Sequence, residues 1–244
     1  MNDATCEIVA RGVTLRLAAT NPRLRLWAER FEEIEPEFLD YIDALPEGSI
    51  FYDAGASIGH FALYAAIKRS ARVYAFEPEA QNFGTLELNH HLNRDALKAP
   101  FSSFNVALSD RRGIGKLFTR VYGAGEHVKI LDVPETRDTH EHFDPEHVQT
   151  VLTLTLDELV YDFGLPVPGS LKVDVDGAEI PLLHGARRVL DDATLRSVFI
   201  ELAQDATSEA ALLDGAGFRL ARRDPVVRMS GGFYDGLYNC VFTR

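Results

Sequence analysis

Apolar and polar residues alternate from Glu7 to Ala18, where Ile8, Val9, Val13, Leu15 and Leu17 flank Gly12. A two-residue period around a glycine predicts a small β-hairpin. The period then lengthens. Trp27, Phe31, Ile34, Phe38, Ile42 and Leu45 recur at spacings of three and four, a helical face interrupted at Pro36. From Ile50 onward, short apolar runs alternate with helical stretches. Strands are expected at Ile50–Asp53, Arg72–Glu77, Phe101–Leu108, Ser170–Val175, Leu195–Leu202, Phe218–Arg222 and Asn239–Thr243. Helices are expected at His60–Lys68, at Ala80–Leu92, between Val175 and Leu190, and at Ser208–Ala216. This alternation predicts an α/β fold, a mostly parallel sheet with helices on both faces and ligands at the carboxyl ends of its strands.

Thr119 to Thr150 breaks the pattern. It holds Gly123, Gly125, Pro134 and Pro145 among histidines and acids, with little periodicity. A loop this long inside one domain is usually functional, and residues 119–150 read as a substrate-side insertion. The insertion closes into Val151–Thr155, and Thr155 with Glu158 has the spacing of a helix capping box. Residues 1–48 form an extension of hairpin and helix that packs beside the core and covers the cleft; residues 49–244 form the main domain.

Composition narrows the function. The 244 residues suffice for one full core. Lys and Arg number 25 against 37 Asp and Glu, a formal charge of −12 that repels phosphate backbones and argues against nucleic acid as partner. The basic run Arg219–Arg223, followed by Asp224, reads as a solvated strand edge. No apolar run approaches the roughly 20 residues of a membrane span. The N-terminus lacks the basic start and apolar core of a secretory signal. Cys6 and Cys240 match no metal or redox motif, so free thiols in a cytoplasmic setting are expected, with a disulfide between the chain ends as the alternative.

The first strand runs into Asp53-Ala-Gly-Ala-Ser-Ile-Gly59, a strand–turn–helix unit. A phosphate-gripping loop would carry Gly-Lys-Ser/Thr, and a dinucleotide fold Gly-x-Gly-x-x-Gly. This turn has Gly-x-x-x-Gly with an acid two residues earlier. Asp53 there repels pyrophosphate and attracts a cation such as the sulfonium and ammonium of S-adenosylmethionine. Glu77 ends the second strand, 24 residues later, where an acid accepts hydrogen bonds from ribose hydroxyls. Nicotinamide enzymes use the same device, so a nicotinamide-dependent oxidoreductase stands as one alternative, and a cofactor-binding protein without catalysis as another.

These blocks resemble the FkbM family of S-adenosylmethionine-dependent methyltransferases. The resemblance rests on Phe51–Gly59, Val73–Pro78, Asn105–Asp110, Thr155–Leu159, Leu171–Glu179 with Leu183-His-Gly-Ala186, Gly217-Phe218 and Asn239–Phe242. It covers Ser49 to the C-terminus and is weakest across residues 119–150. The family usually has asparagine where Ser57 stands and glutamate where Asp176 stands. The resemblance implies a class I methyltransferase (Rossmann-like) fold of seven strands, the last antiparallel and beside the sixth. It implies O-methylation of a hydroxyl on a sugar, glycan or natural product. Asp53, Gly55, Ala56, Ser57 and Gly59 resemble the loop that holds the methionine end of the cofactor, Glu77 and Pro78 the ribose site, and Asn105, Val106 and Ala107 the adenine site.

Asp174, Asp176 and Glu179 follow the fourth strand, whose end faces the transferred methyl in class I enzymes. Alternation puts Asp174 and Asp176 on one side if the strand persists. An alcohol acceptor must be held in line and must lose its proton. Asp174 is the first choice for that base or for orienting the acceptor, its alternatives being a helix cap or an anchor for the cofactor amine. Asp176 and Glu179 are candidates for the acceptor side, with loop support as the other role of Glu179. His127, after Gly123-Ala-Gly125, is a second candidate for catalysis and acceptor contact. The acids could take a hard cation, but no metal is expected. His140, His142 and His147 near Asp138, Glu141 and Asp144 match no zinc spacing and read as a solvated loop. His60, His90, His91 and His184 are read as packing or surface residues.

Overall fold

The computed structural model describes residues 4–135, 141–227 and 233–244. The hairpin forms as expected from β1 (Thr5–Ala10) and β2 (Val13–Ala18). Its turn residues Arg11 and Gly12 both have positive φ, 45° and 81°, the twist that two-residue hairpins favour. The helical face after it is three short helices, α1 (Pro22–Glu29), α2 (Phe31–Ile34) and α3 (Pro36–Asp43). Pro22 and Pro36 each sit in a first turn, where a missing N–H costs nothing, so Pro36 starts a helix rather than kinking one.

Then come β3 (Ile50–Ala54), α4 (His60–Lys68), β4 (Arg72–Phe76), α5 (Ala80–Asn93) and β5 (Phe101–Phe104). The third expected strand is split. Its end, β6 (Ala107–Leu108), leaves the main sheet and pairs with β9 (His147–Leu154). With β7 (Gly113–Thr119) and β8 (Lys129–Leu131) these make a four-stranded side sheet of order β6-β9-β7-β8. The stretch read as a long loop is therefore partly strand. The alternation that holds β9 on β7, with Leu117, Val151 and Ala107 inward, spans its border and was legible only from Val151 onward.

The chain continues through α6 (Leu156–Tyr161), β10 (Ser170–Val173), α7 (Glu179–His184), α8 (Arg187–Asp191), β11 (Ser197–Ala203), α9 (Thr207–Gly215), β12 (Arg219–Val227) and β13 (Phe233–Thr243). The capping box of α6 forms between Thr155 and Glu158. The main sheet has seven strands in the order β12-β13-β11-β10-β3-β4-β5, with β13 antiparallel between β12 and β11. This is the class I methyltransferase arrangement. β12 and β13 run longer than the sequence suggested, as a twisted ribbon with register shifts near Arg222 and Val227. The Arg219 and Arg222 side chains on that edge pair with Asp214, Asp40 and Asp224.

Strand alternation splits the core. Phe51, Val73, Ala75 and Phe199 face α1–α5, whereas Tyr52, Ala54, Leu171, Val173, Val198 and Ile200 face α6–α9. The N-terminal helices thus share one apolar cluster with the sheet, and Phe38 lies 4.6 Å from Phe199, ring centre to ring centre. The hairpin is fixed by two buried amides one turn apart on α5. Asn89 accepts from the Ala18 N–H (2.7 Å), while Asn93 accepts from the Arg16 N–H (2.9 Å) and donates to the Arg16 carbonyl (2.7 Å). Side chains here satisfy a strand edge that no other strand pairs. Cys6 and Cys240 are free thiols. No helix among the described residues is long and apolar enough to cross a membrane.

Candidate active site

The cleft is built where β3, β4 and β10 end. The Asp53–Gly59 turn follows β3, and its glycines answer to packing. Gly55 has φ 81°, and a Cβ there would lie 1.7 Å from the Asp174 carbonyl oxygen. Gly59 has φ 76°, and its Cβ would lie 2.7 Å from Leu86 Cγ. The glycines let the turn press against β10 and α5. Ser57 also adopts positive φ, 50°, a conformation asparagine enters more easily.

The hydrogen bonds of this turn point inward. The N–H groups of Gly55 and Ala56 donate to the Phe76 carbonyl at 2.9 and 3.0 Å, and that of Gly59 to the Ala56 carbonyl at 2.8 Å. The Ser57 N–H donates to Glu77 Oε2 at 2.8 Å. These four donors are taken up by the protein, so they form no anion cradle. Glu77 also accepts from the Glu79 N–H at 2.8 Å, and burial pushes its pKa up to about 7.

Two chambers share a wall of Gly55, Ser57, His127, Asp174 and Asp176. The outer one sets Glu77 and Pro78 beside apolar Phe76, Val106, Ala107, Leu108, Leu117 and Leu131. An apolar slot with a buried carboxylate at its edge suits a nucleoside, a flat base against carbon and a sugar on the acid. Asn105 stands apart from the slot. It is exposed and donates to the carbonyls of Glu77 and Pro78, both at 2.9 Å, so it clamps the strand end.

The inner chamber has charge at its floor. Parallel pairing sets Lys172 opposite Asp53. Lys172 Nζ lies 3.3 Å from Asp53 Oδ1, 3.3 Å from Asp174 Oδ2 and donates to the Gly55 carbonyl at 2.9 Å. Asp53 is 1% exposed, and burial raises its pKa against the opposing pull of Lys172. It is therefore an internal partner of Lys172 rather than an open carboxylate. Asp174 keeps 31% of its side chain accessible and lines both chambers. It does not cap α7, whose N-cap is Ala178. β10 ends at Val173, and Asp176 and Gly177 take φ of 50° and 99°, so strand alternation does not carry past Asp174. Asp176 instead accepts from the Lys129 N–H at 3.1 Å. Glu179 is buried and accepts from the Gly177 N–H at 3.3 Å, which braces the turn.

His127 reaches both chambers, edge-on to Trp27 with ring centres 5.2 Å apart. His127 is exposed at the surface, and partial desolvation with Arg23 nearby lowers its pKa. The segment carrying it is strapped to the N-terminal helices. The Gly125 carbonyl accepts from Trp27 Nε1 (2.9 Å) and Arg23 Nε (3.2 Å), and its N–H donates to Asn82 Oδ1 (2.8 Å). Gly125 has φ 82°, and a Cβ there would lie 3.1–3.3 Å from atoms of Leu24, Trp27 and Arg23. Gly125→Ala should therefore cost about 1–2 kcal/mol in a urea melt; a change near zero would show that the strap yields freely.

Several residues on the inner wall escaped the sequence reading as site residues. Among them are Lys172, Glu35, His60 and Trp27. A lysine inside the apolar strand Leu171–Val173 was the available signal for the first. Glu35 carries a pKa pushed up to about 8 by burial and by Asp174. His60, read as a packing residue, is 3% exposed and lines the chamber. No three His, Cys, Asp or Glu side chains among the described residues are grouped to hold a metal ion. His140 and Asp138 lie outside the described residues.

Known proteins agree with this architecture. A hexuronic acid methyltransferase, AglP, of Haloferax volcanii is 26% identical over 175 residues, covering 72% of this chain and 65% of its own length. The 31-O-demethyl-FK506 methyltransferase FkbM of Streptomyces tacrolimicus is 27% identical over 212 residues, covering 75% of this chain and 77% of its own. Among solved structures, a methyltransferase FkbM from Methylobacillus flagellatus superposes with TM-score 0.51 at 15% identity, over 91% of this chain and 53% of that one. Aeropyrum pernix fibrillarin, solved with natively bound S-adenosyl-L-methionine, gives TM-score 0.52 at 11% identity, over 98% of this chain and 82% of that one. The chain thus spans less than two thirds of the AglP and Methylobacillus proteins. The methyltransferase FkbM domain model matches residues 53–220, and on that match the chain belongs to the FkbM methyltransferase family.

Proposed function

We propose that this chain is an S-adenosylmethionine-dependent methyltransferase that methylates a hydroxyl of a sugar, glycan or natural-product small molecule. The observation that carries the reading is the inward-bonded turn beside Glu77. Four of the five N–H groups at Gly55–Gly59 are taken up within the protein, and the cation beside the turn, Lys172, is engaged by Asp53, Asp174 and the Gly55 carbonyl, which offers a pyrophosphate little, whereas a nucleoside with a cationic tail meets an apolar slot and then carboxylates. This disfavours the nicotinamide alternative. Bound there, S-adenosylmethionine supplies an electrophilic methyl group.

The chain's own residues do the rest. Val106, Ala107, Leu108 and Leu117 would hold the base and Glu77 the ribose hydroxyls. Asp174 orients the acceptor hydroxyl and takes its proton, with His127 across the same wall as the second candidate. The strapped segment within residues 119–150 and the 1–48 extension form the acceptor side, since Trp27, Glu35, His127 and Ile130 all line the inner chamber. The hydroxyl as acceptor follows the relative named for 31-O-demethyl-FK506, and a sugar as one acceptor class follows the relative named for a hexuronic acid.

Calorimetry should show S-adenosylmethionine binding with Kd on the order of micromolar, and no binding of NAD. Glu77→Ala should weaken S-adenosylmethionine by about 10- to 100-fold through lost ribose hydrogen bonds, with a cooperative thermal transition retained. Absence of binding by the folded wild-type chain would overturn the reading. Binding without methyl transfer across a mass-spectrometric panel of hydroxylated acceptors would favour the inactive cofactor-binding protein.

A further inference from the structure

We infer that the inner chamber is the acceptor site, built for an uncharged polyhydroxylated ring that packs beside Trp27 and hydrogen-bonds to His60. The inference rests on the methyltransferase reading and names the acceptor class and the groups that hold it.

His60 opens α4 directly after Gly59, yet neither ring nitrogen has a hydrogen-bond partner among the described residues. Its neighbours are the rings of Trp27 (4.9 Å), Phe31 (5.8 Å) and Phe61 (4.2 Å), among which an apolar side chain would pack without cost. An unpartnered buried polar group costs about 1–3 kcal/mol. Burial pushes the pKa of this imidazole down to about 3, so it is neutral and offers one donor and one acceptor. A hydroxyl can answer either nitrogen, accepting from the one or donating to the other, and a polyhydroxylated ring carries several.

Trp27, 4% exposed, is part of the lining beside His60. Its indole N–H is fixed on the Gly125 carbonyl, so the ring orientation is set before any ligand arrives. A rigid aromatic plane beside a few polar groups is the usual wall for a ring with carbon–hydrogen faces and hydroxyl edges.

Charge selects among such rings. Five carboxylates and two cations, Lys172 and Arg120, line the chamber among the described residues. Lys172 is engaged by Asp53, Asp174 and the Gly55 carbonyl, and Arg120 is exposed at the rim. A carboxylate on the acceptor would meet Asp174, whose cation Lys172 is already shared with Asp53, without a cation of its own there. The chamber thus favours neutral sugars over uronates, unlike the acceptor for which the haloarchaeal relative is named.

Trp27 is the one tryptophan of the chain, so its emission reports on this wall alone. The probes are methyl α-glucoside, methyl α-rhamnoside and glucuronate, titrated into wild-type protein saturated with S-adenosylhomocysteine. The expected result is a saturable change with at least one neutral glycoside and about tenfold weaker binding of glucuronate. His60→Phe should weaken the neutral glycoside about tenfold, and His60→Gln should recover part of the loss, with S-adenosylhomocysteine affinity by calorimetry unchanged in both. Three results would each overturn the inference: no sugar moves the Trp27 emission, glucuronate binds as well as the glycosides, or His60→Phe costs cofactor affinity rather than sugar affinity. Failure of the wild type to bind S-adenosylhomocysteine would instead strike the methyltransferase reading itself.

Discussion

Replacing Lys172 with methionine should lower the stability of the fold by about 3–5 kcal/mol, the cost of stranding a buried charge. The ammonium is 5% exposed and 3.3 Å from both Asp53 and Asp174. Asp174 can turn to water, but Asp53, 1% exposed, cannot. Its carboxyl already has a raised pKa, and Lys172 is the group pulling it down. The sign of the pH response follows. A carboxyl whose folded pKa exceeds its unfolded one binds protons more tightly in the fold, so stability rises as pH falls toward the unfolded value. Lys172→Met should therefore be more stable at pH 5 than at pH 8, and Asp53→Asn in the same chain should restore much of the loss. Urea melts at the two pH values check this. A loss below about 1 kcal/mol would mean that water reaches the pair.

The second large effect concerns chemistry. Asp174→Asn should cut turnover by about 10²–10⁴-fold, the range of a lost general base, while S-adenosylmethionine affinity stays within about threefold. The amide keeps the shape of the carboxylate but cannot take a proton. Asp174, like Asp176, lines both chambers, where donor and acceptor would meet, but Asp176 is engaged by the Lys129 N–H. Single-turnover rates with the acceptor found by mass spectrometry separate this from slow product release. Unchanged turnover would pass the role to His127. Equal losses of turnover and cofactor affinity would make Asp174 an anchor for the cofactor amine.

The residues that local rules reach were legible. Asp53, Glu77 and Asp174 end strands that periodicity finds, and the Thr155–Glu158 box and the Arg11-Gly12 turn form as spacing suggests. What the sequence hid depends on contacts across long separations. Lys172 meets Asp53 because β10 lies beside β3 in one particular register, over a gap of more than a hundred residues. His60 looked like a packing residue because its neighbour Trp27 comes from a separate helix. Asp53 and Gly55, expected to face ligand, line the cleft, but the sequence did not show that Asp53 also pairs with Lys172 or that Gly55 and Gly59 pack on backbone and Leu86, since a turn motif states which residues are needed but not which side needs them. The segment read as loop hid its strands because β8 has three residues, too short for a period to show.

The strap at Gly125 has a consequence for how acceptor preference can change. Asn82, Trp27 and Arg23 all meet that one residue, so α5, α1 and the His127 segment are joined at a point. The parts of the wall proposed to touch the acceptor are thus mechanically coupled to one another. Grafting a relative's specificity onto this scaffold calls for moving residues 21–35 and 120–131 in one step, because either half alone would arrive without its counterpart.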